Sequence, residues 1–286
     1  MIILDFNQVA IANLMVQGTR NLEINENLLR HMILNSIRMN RVKFASEYGE
    51  MIIACDATDN WRKKYFPYYK ANRKVSRDES SIDWKEMFRI LNKIREELSE
   101  HFPYPTIRVE TAEADDVIAT LCHEHGRELG GEPILILSGD KDFQQLQRYA
   151  NVNQYDPTRK RWIRCSDPET FLIEHILKGD ASDGIPNVLS SDDTFVARAR
   201  QKPMRQKFID SVLEANKPEA STVFTDEISR NYQRNRVLID LNCVPEDIAE
   251  QTLQMFEAQQ DKGRGKLFNY FIKHKLKNLT ECITEF

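Results

Sequence analysis

A chain of 286 residues, 41% hydrophobic and 29% charged, is long enough for one large α/β domain or two smaller ones around a buried core. No stretch approaches the ~20 consecutive apolar residues of a membrane span, and the opening Met1-Ile2-Ile3-Leu4-Asp5 has neither a basic leader nor a cleavage site, so a cytoplasmic protein with no membrane partner is expected. Five scattered cysteines without a C-x-x-C pair suggest neither a disulfide framework nor a zinc site, and the net charge of -4 hides a strong segregation of acids from cations.

In chain order, residues 1–5 form an apolar run too continuous to be half exposed, which predicts a buried parallel strand ending at Asp5. Leu28, Leu29, Met32, Ile33 and Ile37 have helical spacing, and Met51-Ile52-Ile53-Ala54-Cys55 repeats the opening pattern before Asp56. Between Trp61 and Arg77 stand Arg62, Lys63, Lys64, Lys70, Arg73, Lys74 and Arg77, interleaved with Tyr65, Phe66, Tyr68 and Tyr69. Such a stretch suits a polyanion with stackable bases, whereas an isolated basic run is more often a solvated helix face. Met87, Phe88, Leu91, Ile94 and Leu98 describe an amphipathic helix, and a short strand is expected at Thr106–Val109. A helix follows in which Ala114, Val117, Ile118, Leu121 and Cys122 share a face; Ile134–Leu137 is a third buried strand, delivering Ser138-Gly139-Asp140. Strands alternating with helices predict a mostly parallel central sheet flanked by helices. Past residue 168 the strand runs disappear, and Pro245–Phe256 and Leu267–Leu276 read as helices. The expected division is an α/β domain over 1–167 and a helical part over 168–286.

In parallel sheets ligands sit beyond the carboxyl ends of the strands, so Asp5, Asp56 and Asp140 are expected to meet in space. Clustered carboxylates repel unless a cation compensates them, and oxygen-only donors select hard ions such as Mg²⁺ or Mn²⁺. Two such ions can activate a water and stabilise the leaving oxygen of a phosphodiester. Each cluster also has a duller reading: Asp5, Asp56, Asp140 and Asp142 as turn residues, Glu113, Asp115 and Asp116 as partners of a helix N-terminus, Asp180 and Asp183 as a polar loop. Their joint occurrence at the predicted topological places favours the metal pocket.

The succession Asp5, Asp56, Tyr68-Tyr69-Lys70-Ala71-Asn72-Arg73, Glu113-Ala114-Asp115-Asp116, Gly139-Asp140-Lys141-Asp142 and Gly179-Asp180-Ala181-Ser182-Asp183-Gly184-Ile185-Pro186 resembles the flap endonuclease, or 5′-nuclease, family over nearly the full chain. The resemblance implies a PIN-like nuclease fold with a helical arch at about residues 61–83 and a helix-turn-helix DNA-binding element. It implies two Mg²⁺, with Mn²⁺ as a substitute: one near Asp5, Asp56, Glu113 and Asp115, with Asp116 and Asp140 nearby, the other near Asp140, Asp142 and Asp183, with Asp180 outside them. Lys70 and Arg73 would hold the scissile phosphate. The helix-turn-helix would comprise a helix over Glu169–Lys178, the loop Gly179–Asn187 and a following helix, with Lys178 and Gly184 on phosphates. Many relatives continue into Gly-Ile-Gly-x-Lys-Thr-Ala, where this chain has Val188-Leu189-Ser190-Ser191-Asp192-Asp193-Thr194; Arg198 and Arg200 are candidates for replacement contacts.

The resulting expectation is a monomeric Mg²⁺-dependent 5′-to-3′ exonuclease and flap endonuclease acting on RNA·DNA hybrids and flap or duplex DNA. Phage members of the family further imply primer removal in lagging-strand replication, with a single-stranded DNA-binding protein and a sliding clamp as partners. Two rivals come from other classes. One is a non-catalytic nucleic-acid-binding protein; the other is an aspartyl-phosphate phosphatase with Asp5 as nucleophile, which lacks the second aspartate because Asn7 stands two positions on.

Overall fold

The computed structural model describes residues 1–18, 25–80, 82–127, 129–215 and 222–286, with the side chains of 16–18 and 74–76 left outside the description. The strands are β1 (Ile2–Asp5), β2 (Met51–Ala54), β3 (Thr106–Ile107), β4 (Ile134–Leu137), β5 (Val152–Asp156) and β6 (Arg161–Ile163). The α-helices are α1 (Phe6–Gly18), α2 (Glu26–Tyr48), α3 (Trp61–Tyr65), α4 (Ala71–Asp78), α5 (Trp84–His101), α6 (Ala114–His125), α7 (Pro168–Lys178), α8 (Gln206–Leu213), α9 (Asp226–Ile239), α10 (Glu246–Glu257), α11 (Leu267–Lys273) and α12 (Lys277–Thr280).

Two compact units emerge. The first contains Met1–Asp59, Ile82–Arg164 and Pro245–Phe286; the second contains Asn60–Ser81 and Cys165–Val244. This differs from a single cut at 167/168. The last segment joins the sheet because Leu267, Tyr270, Phe271, Leu279 and Phe286 are buried in the same core as Ile2, Leu4 and Leu137.

The first unit is built on a six-stranded sheet of order β3-β2-β1-β4-β5-β6, parallel except for β6, which pairs antiparallel with β5. Alternate residues of a strand point to opposite faces. Both sets are buried in β1, β2 and β4, so both faces are covered and the apolar runs are continuous. Ile2, Leu4, Met51, Ile53, Leu135 and Leu137 share one core with α1, α2, α5 and α11, while α6 contacts β1, β2 and α10. A charged clamp lies within this packing. Arg30 of α2 is buried, with its Nε 2.7 Å from Glu97 Oε2 of α5 and its Nη2 2.7 Å from Glu26 Oε1; Tyr270 of α11 donates to the same Glu97 oxygen at 2.7 Å. A buried guanidinium is stable only when its donors are met in this way.

The second unit has its own core, in which Phe66 and Tyr69 pack with Leu177, Ile185, Val188 and Tyr232. The helix α7 corresponds to the first helix expected of a helix-turn-helix element, but the stretch after its loop runs as turns, and α8 begins only at Gln206. Local side-chain bonds compete with helix here: Asn187 Oδ1 accepts from Leu189 N at 3.1 Å and Ser190 Oγ at 2.8 Å, and Thr194 Oγ1 donates to Ser191 O at 2.6 Å.

Phe271 is fully buried, with its ring 5.2 Å from that of Phe286 and 6.0 Å from that of Phe102. Phe271→Ala is expected to lower stability by about 3–5 kcal/mol in urea denaturation. A loss below about 1 kcal/mol would show that the last segment does not complete the core of the sheet.

Candidate active site

The carboxyl ends of β1, β2 and β4 bring three acids together in the first unit. Asp5 closes β1 and begins α1: its Oδ1 accepts from Gln8 N at 3.1 Å and its Oδ2 accepts from Ser138 Oγ at 3.0 Å. Asp56 stands two residues past β2, its Oδ1 accepting from Ala114 N at 2.7 Å at the start of α6 and its Oδ2 accepting from Asn7 Nδ2. Asp140 follows β4 and caps a short 3-10 helix, Lys141–Arg148, by accepting from Asp142 N at 3.0 Å. Its own N–H donates to Ser138 Oγ at 3.2 Å, so one serine bridges Asp5 and Asp140.

This grouping has an electrostatic signature. Burial, then the charge of Asp56, and further the charge of Asp140 push the Asp5 carboxyl up to about 7, even though the Gln8 amide and the Ser138 hydroxyl oppose the shift. Glu113, the N-cap of α6, and Asp115, in its first turn, stand beside Ala114, whose amide meets Asp56. Asp116 is completely buried and turned back on the chain, its Oδ2 accepting from Glu113 N at 2.9 Å in a capping box.

Several residues that place these acids have no motif of their own in the sequence. Gln8 Oε1 accepts from Gly139 N at 2.7 Å, and Gln154, buried in β5, donates from Nε2 to Ser138 O at 3.0 Å and Asp140 O at 2.6 Å. Gly139 leaves room for Asp156, since a Cβ there would lie 2.8 Å from its Oδ2 and force that buried carboxylate to shift.

In the second unit, Asp183 is gripped from the segment joining α3 to α4 and from the first turn of α4. Tyr69 Oη donates to its Oδ2 at 3.1 Å, Lys70 Nζ lies 3.5 Å from the same oxygen, and Arg73 Nη2 pairs with Oδ1. The Lys70 amide also donates to Asp183 O at 2.7 Å, which holds Lys70 at φ 56°. Gly184, at φ 71°, gives this segment room: a Cβ would sit 3.0 Å from Tyr68 O. Asp180 caps its own loop, accepting from Ser182 N at 2.7 Å, and lies 3.7 Å from His175 Nε2.

The expected nucleic-acid contacts are divided. Lys63, Lys64, Lys178, Arg198 and Arg200 are exposed, with Lys178 paired to Glu174 and Arg198 3.9 Å from Glu79. Arg77 is half-buried, and burial, with the charge of Arg73, lowers its pKa. Arg62, expected at the surface, is only 2% exposed and donates from Nε to Leu238 O at 3.1 Å. Tyr69 is likewise buried by its bond to Asp183, leaving Tyr65 and Tyr68 as the exposed rings of the segment. The side chain of Lys74 lies outside the described residues.

Residues 16–174 match the model of the 5′-3′ exonuclease N-terminal resolvase-like domain, and residues 166–286 match that of the T4 RNase H C-terminal domain. The chain is 34% identical over 293 residues to the Ribonuclease H of Enterobacteria phage T4, covering 99% of this chain and 95% of that protein. It is 33% identical over 146 residues to a 5′-3′ exonuclease of Buchnera aphidicola, covering 48% and 47% of the two chains. In fold it resembles the bacteriophage T5 5′-exonuclease solved with zinc, at TM-score 0.58 and 18% identity, covering 91% of this chain and 99% of that one. It also resembles a T5 flap endonuclease solved with DNA and metal ions, at TM-score 0.59 and 17% identity, covering 91% and 98%.

Because the folded state holds the Asp5 proton more tightly than the unfolded chain, stability from this group is greatest below the ordinary value of 3.8, falls as pH rises to about 7 and stays reduced above it. Asp5→Asn, which cannot ionise, is expected to stabilise the metal-free protein near pH 8 by on the order of 2 kcal/mol, with the difference vanishing near pH 4. A pH-independent difference in urea midpoints would contradict the electrostatic account.

Proposed function

The chain belongs to the 5′-3′ exonuclease family and is a nuclease, hence a hydrolase, and on that premise we propose that its acidic pocket holds two Mg²⁺ ions for cutting phosphodiesters in strands with a free 5′ end. The substrates are RNA·DNA hybrids and flap or duplex DNA, and the role is removal of RNA primers with the adjoining DNA during lagging-strand replication. The protein acts as a monomer in the cytoplasm of the host cell, with a single-stranded DNA-binding protein and a sliding clamp as partners. Names of relatives support the nuclease activities among these assignments: a ribonuclease H, a 5′-3′ exonuclease and flap endonucleases.

One observation carries the proposal, the placement of Asp56 and Asp140 close enough to buried Asp5 for their charges to raise its pKa. The side chains of these three residues offer only oxygens, which fits a hard divalent cation, and such an ion relieves the repulsion that otherwise protonates Asp5. When bound, the ions supply a nucleophilic water at neutral pH and neutralise the departing oxygen. The chain's own residues do the rest. Asp5, Asp56, Glu113, Asp115, Asp140 and Asp142 are the proposed holders, and the family resemblance adds Asp180 and Asp183 to the candidates. Asn7 and Ser138 fix the rotamers of Asp56 and Asp5 through their hydrogen bonds. Lys70 and Arg73, which pair with Asp183 in this structure, turn to the scissile phosphate when the substrate arrives and stabilise charge developing on its oxygens. Asn7 donates to Asp56, and as a carboxamide it has no ionisable proton for the general-acid step a phosphatase would need.

Asp140→Asn is expected to abolish Mg²⁺-dependent cleavage of a labelled 5′ flap while the protein still binds the flap in anisotropy titrations; near-normal turnover would refute the metal assignment. In single-turnover cleavage, Lys70→Ala should slow the reaction on the order of 100-fold or more with a smaller change in affinity. An unchanged rate would remove Lys70 from the mechanism.

A further inference from the structure

The helix α9 presents one polar face inward. Asn231, Arg234, Asn235 and Leu238 stand at positions i, i+3, i+4 and i+7, and the three polar residues among them are buried. Asn231 Nδ2 donates to Val188 O at 2.9 Å and Ser190 O at 3.3 Å, and Asn235 Nδ2 donates to Ile176 O and Pro186 O, both at 2.8 Å. Between them lies the guanidinium of Arg234, which is 6% exposed. Its Nε donates to Asn235 Oδ1 at 2.9 Å, its Nη2 to Pro186 O at 2.9 Å, and its Nη1 to Asp192 Oδ1 and, at 3.4 Å, to Asn231 Oδ1. Its Cζ also lies 5.6 Å from the centroid of the Phe66 ring. A cation enclosed by four oxygens from two loop positions and two helix positions is a structural ion site whose ion is covalently attached.

We propose that Arg234 is a positioning residue for the nuclease reaction, a built-in cation that sets the loop Asp180–Ser190 and, through it, the two cations of the α3–α4 segment. The route is short. Pro186 and Val188, held by α9, continue directly from Asp183 and Gly184, and Asp183 O fixes the Lys70 amide at 2.7 Å while its carboxylate meets Tyr69, Lys70 and Arg73. Phe66, on which the guanidinium rests, lies four positions before Lys70. Arg62 Nε donates to Leu238 O at 3.1 Å, so the same helix face also ties the start of α3. Loop and cationic segment are thus referenced to one guanidinium. Removing it leaves Pro186 O with one donor fewer and the Asp192 carboxylate with less compensation, and the loop then samples arrangements in which Lys70 is off its mark. This inference rests on the functional reading above for its effect on cleavage, but its structural half is tested without any activity.

The test is Arg234→Ala in the full chain, read first by hydrogen exchange of the metal-free protein and then by single-turnover cleavage of a 5′ flap in Mg²⁺. Exchange is expected to speed up at the amides of residues 180–190 and 62–73 and to stay unchanged in β1, β2 and β4. Millimolar methylguanidinium should restore both slow exchange and cleavage, whereas sodium chloride at the same ionic strength should not. Cleavage without the rescuer should fall about tenfold to hundredfold, the effect of a sub-ångström to ångström misplacement of a reacting group. Arg234→Lys, which keeps the charge but not the fork of donors, should fall between. Unchanged exchange at 180–190, a uniform rise throughout the chain, or rescue no better than with sodium chloride would each overturn the proposal. A wild-type chain that cleaves no flap while the exchange pattern holds would instead sink the functional reading and leave the loop's dependence on Arg234 standing.

Discussion

Carboxylates brought together at the carboxyl edge of a parallel sheet repel one another, and the rest of the first unit exists under that constraint. Burial and the charges of Asp56 and Asp140 hold the Asp5 carboxyl near 7, far from the ordinary range. Such a site draws in positive charge: a proton on Asp5 relieves part of the repulsion, and a divalent ion relieves more, since a double positive charge compensates several carboxylates at once. The strands that deliver the acids are rigid because both of their faces are buried. The side chains are then held by short-range donors, with Ser138 shared between Asp5 and Asp140, Asn7 on Asp56, and Gln154 pinning the turn that bears Asp140.

The second unit solves a related problem with the opposite sign. Lys70 and Arg73, the cations proposed to meet a phosphate, are held by an aspartate and its backbone carbonyl. Lys70 sits in the left-handed region, where a non-glycine residue stays only when its surroundings over-determine it. The bonds from Asp183, the close approach of Gly184 and the polar face of α9 supply that over-determination.

Much of this was legible in the chain itself, for a physical reason. A strand buried on both faces must be continuously apolar, so β1, β2 and β4 announce themselves, and a parallel sheet puts ligands at the ends where Asp5, Asp56 and Asp140 stand. The elements that escaped notice break the same rule. In β5, Val152-Asn153-Gln154-Tyr155-Asp156 carries polar residues inward because Gln154 donates to Ser138 O and Asp140 O, while Asp156 accepts from the amides of Thr158 and Arg159 in the turn that follows. The edge strand β6 is largely exposed and short. The helix α9 buries Asn231, Arg234 and Asn235, which in a linear reading look like an ordinary solvated face. Arg62 and Tyr69 mislead in the same way: a basic-aromatic stretch reads as surface, yet both are turned inward by hydrogen bonds to Leu238 and Asp183. The stretch after the loop at 179–187 runs as turns because its serines, threonine and asparagine bond to nearby main-chain groups.

The most direct test of the central claim is anomalous diffraction from crystals soaked in manganese. Strong peaks within about 2–2.6 Å of the carboxylate oxygens of Asp5, Asp56 and Asp140 are the expected result. Manganese bound elsewhere, with these three side chains bare and apart, would contradict it.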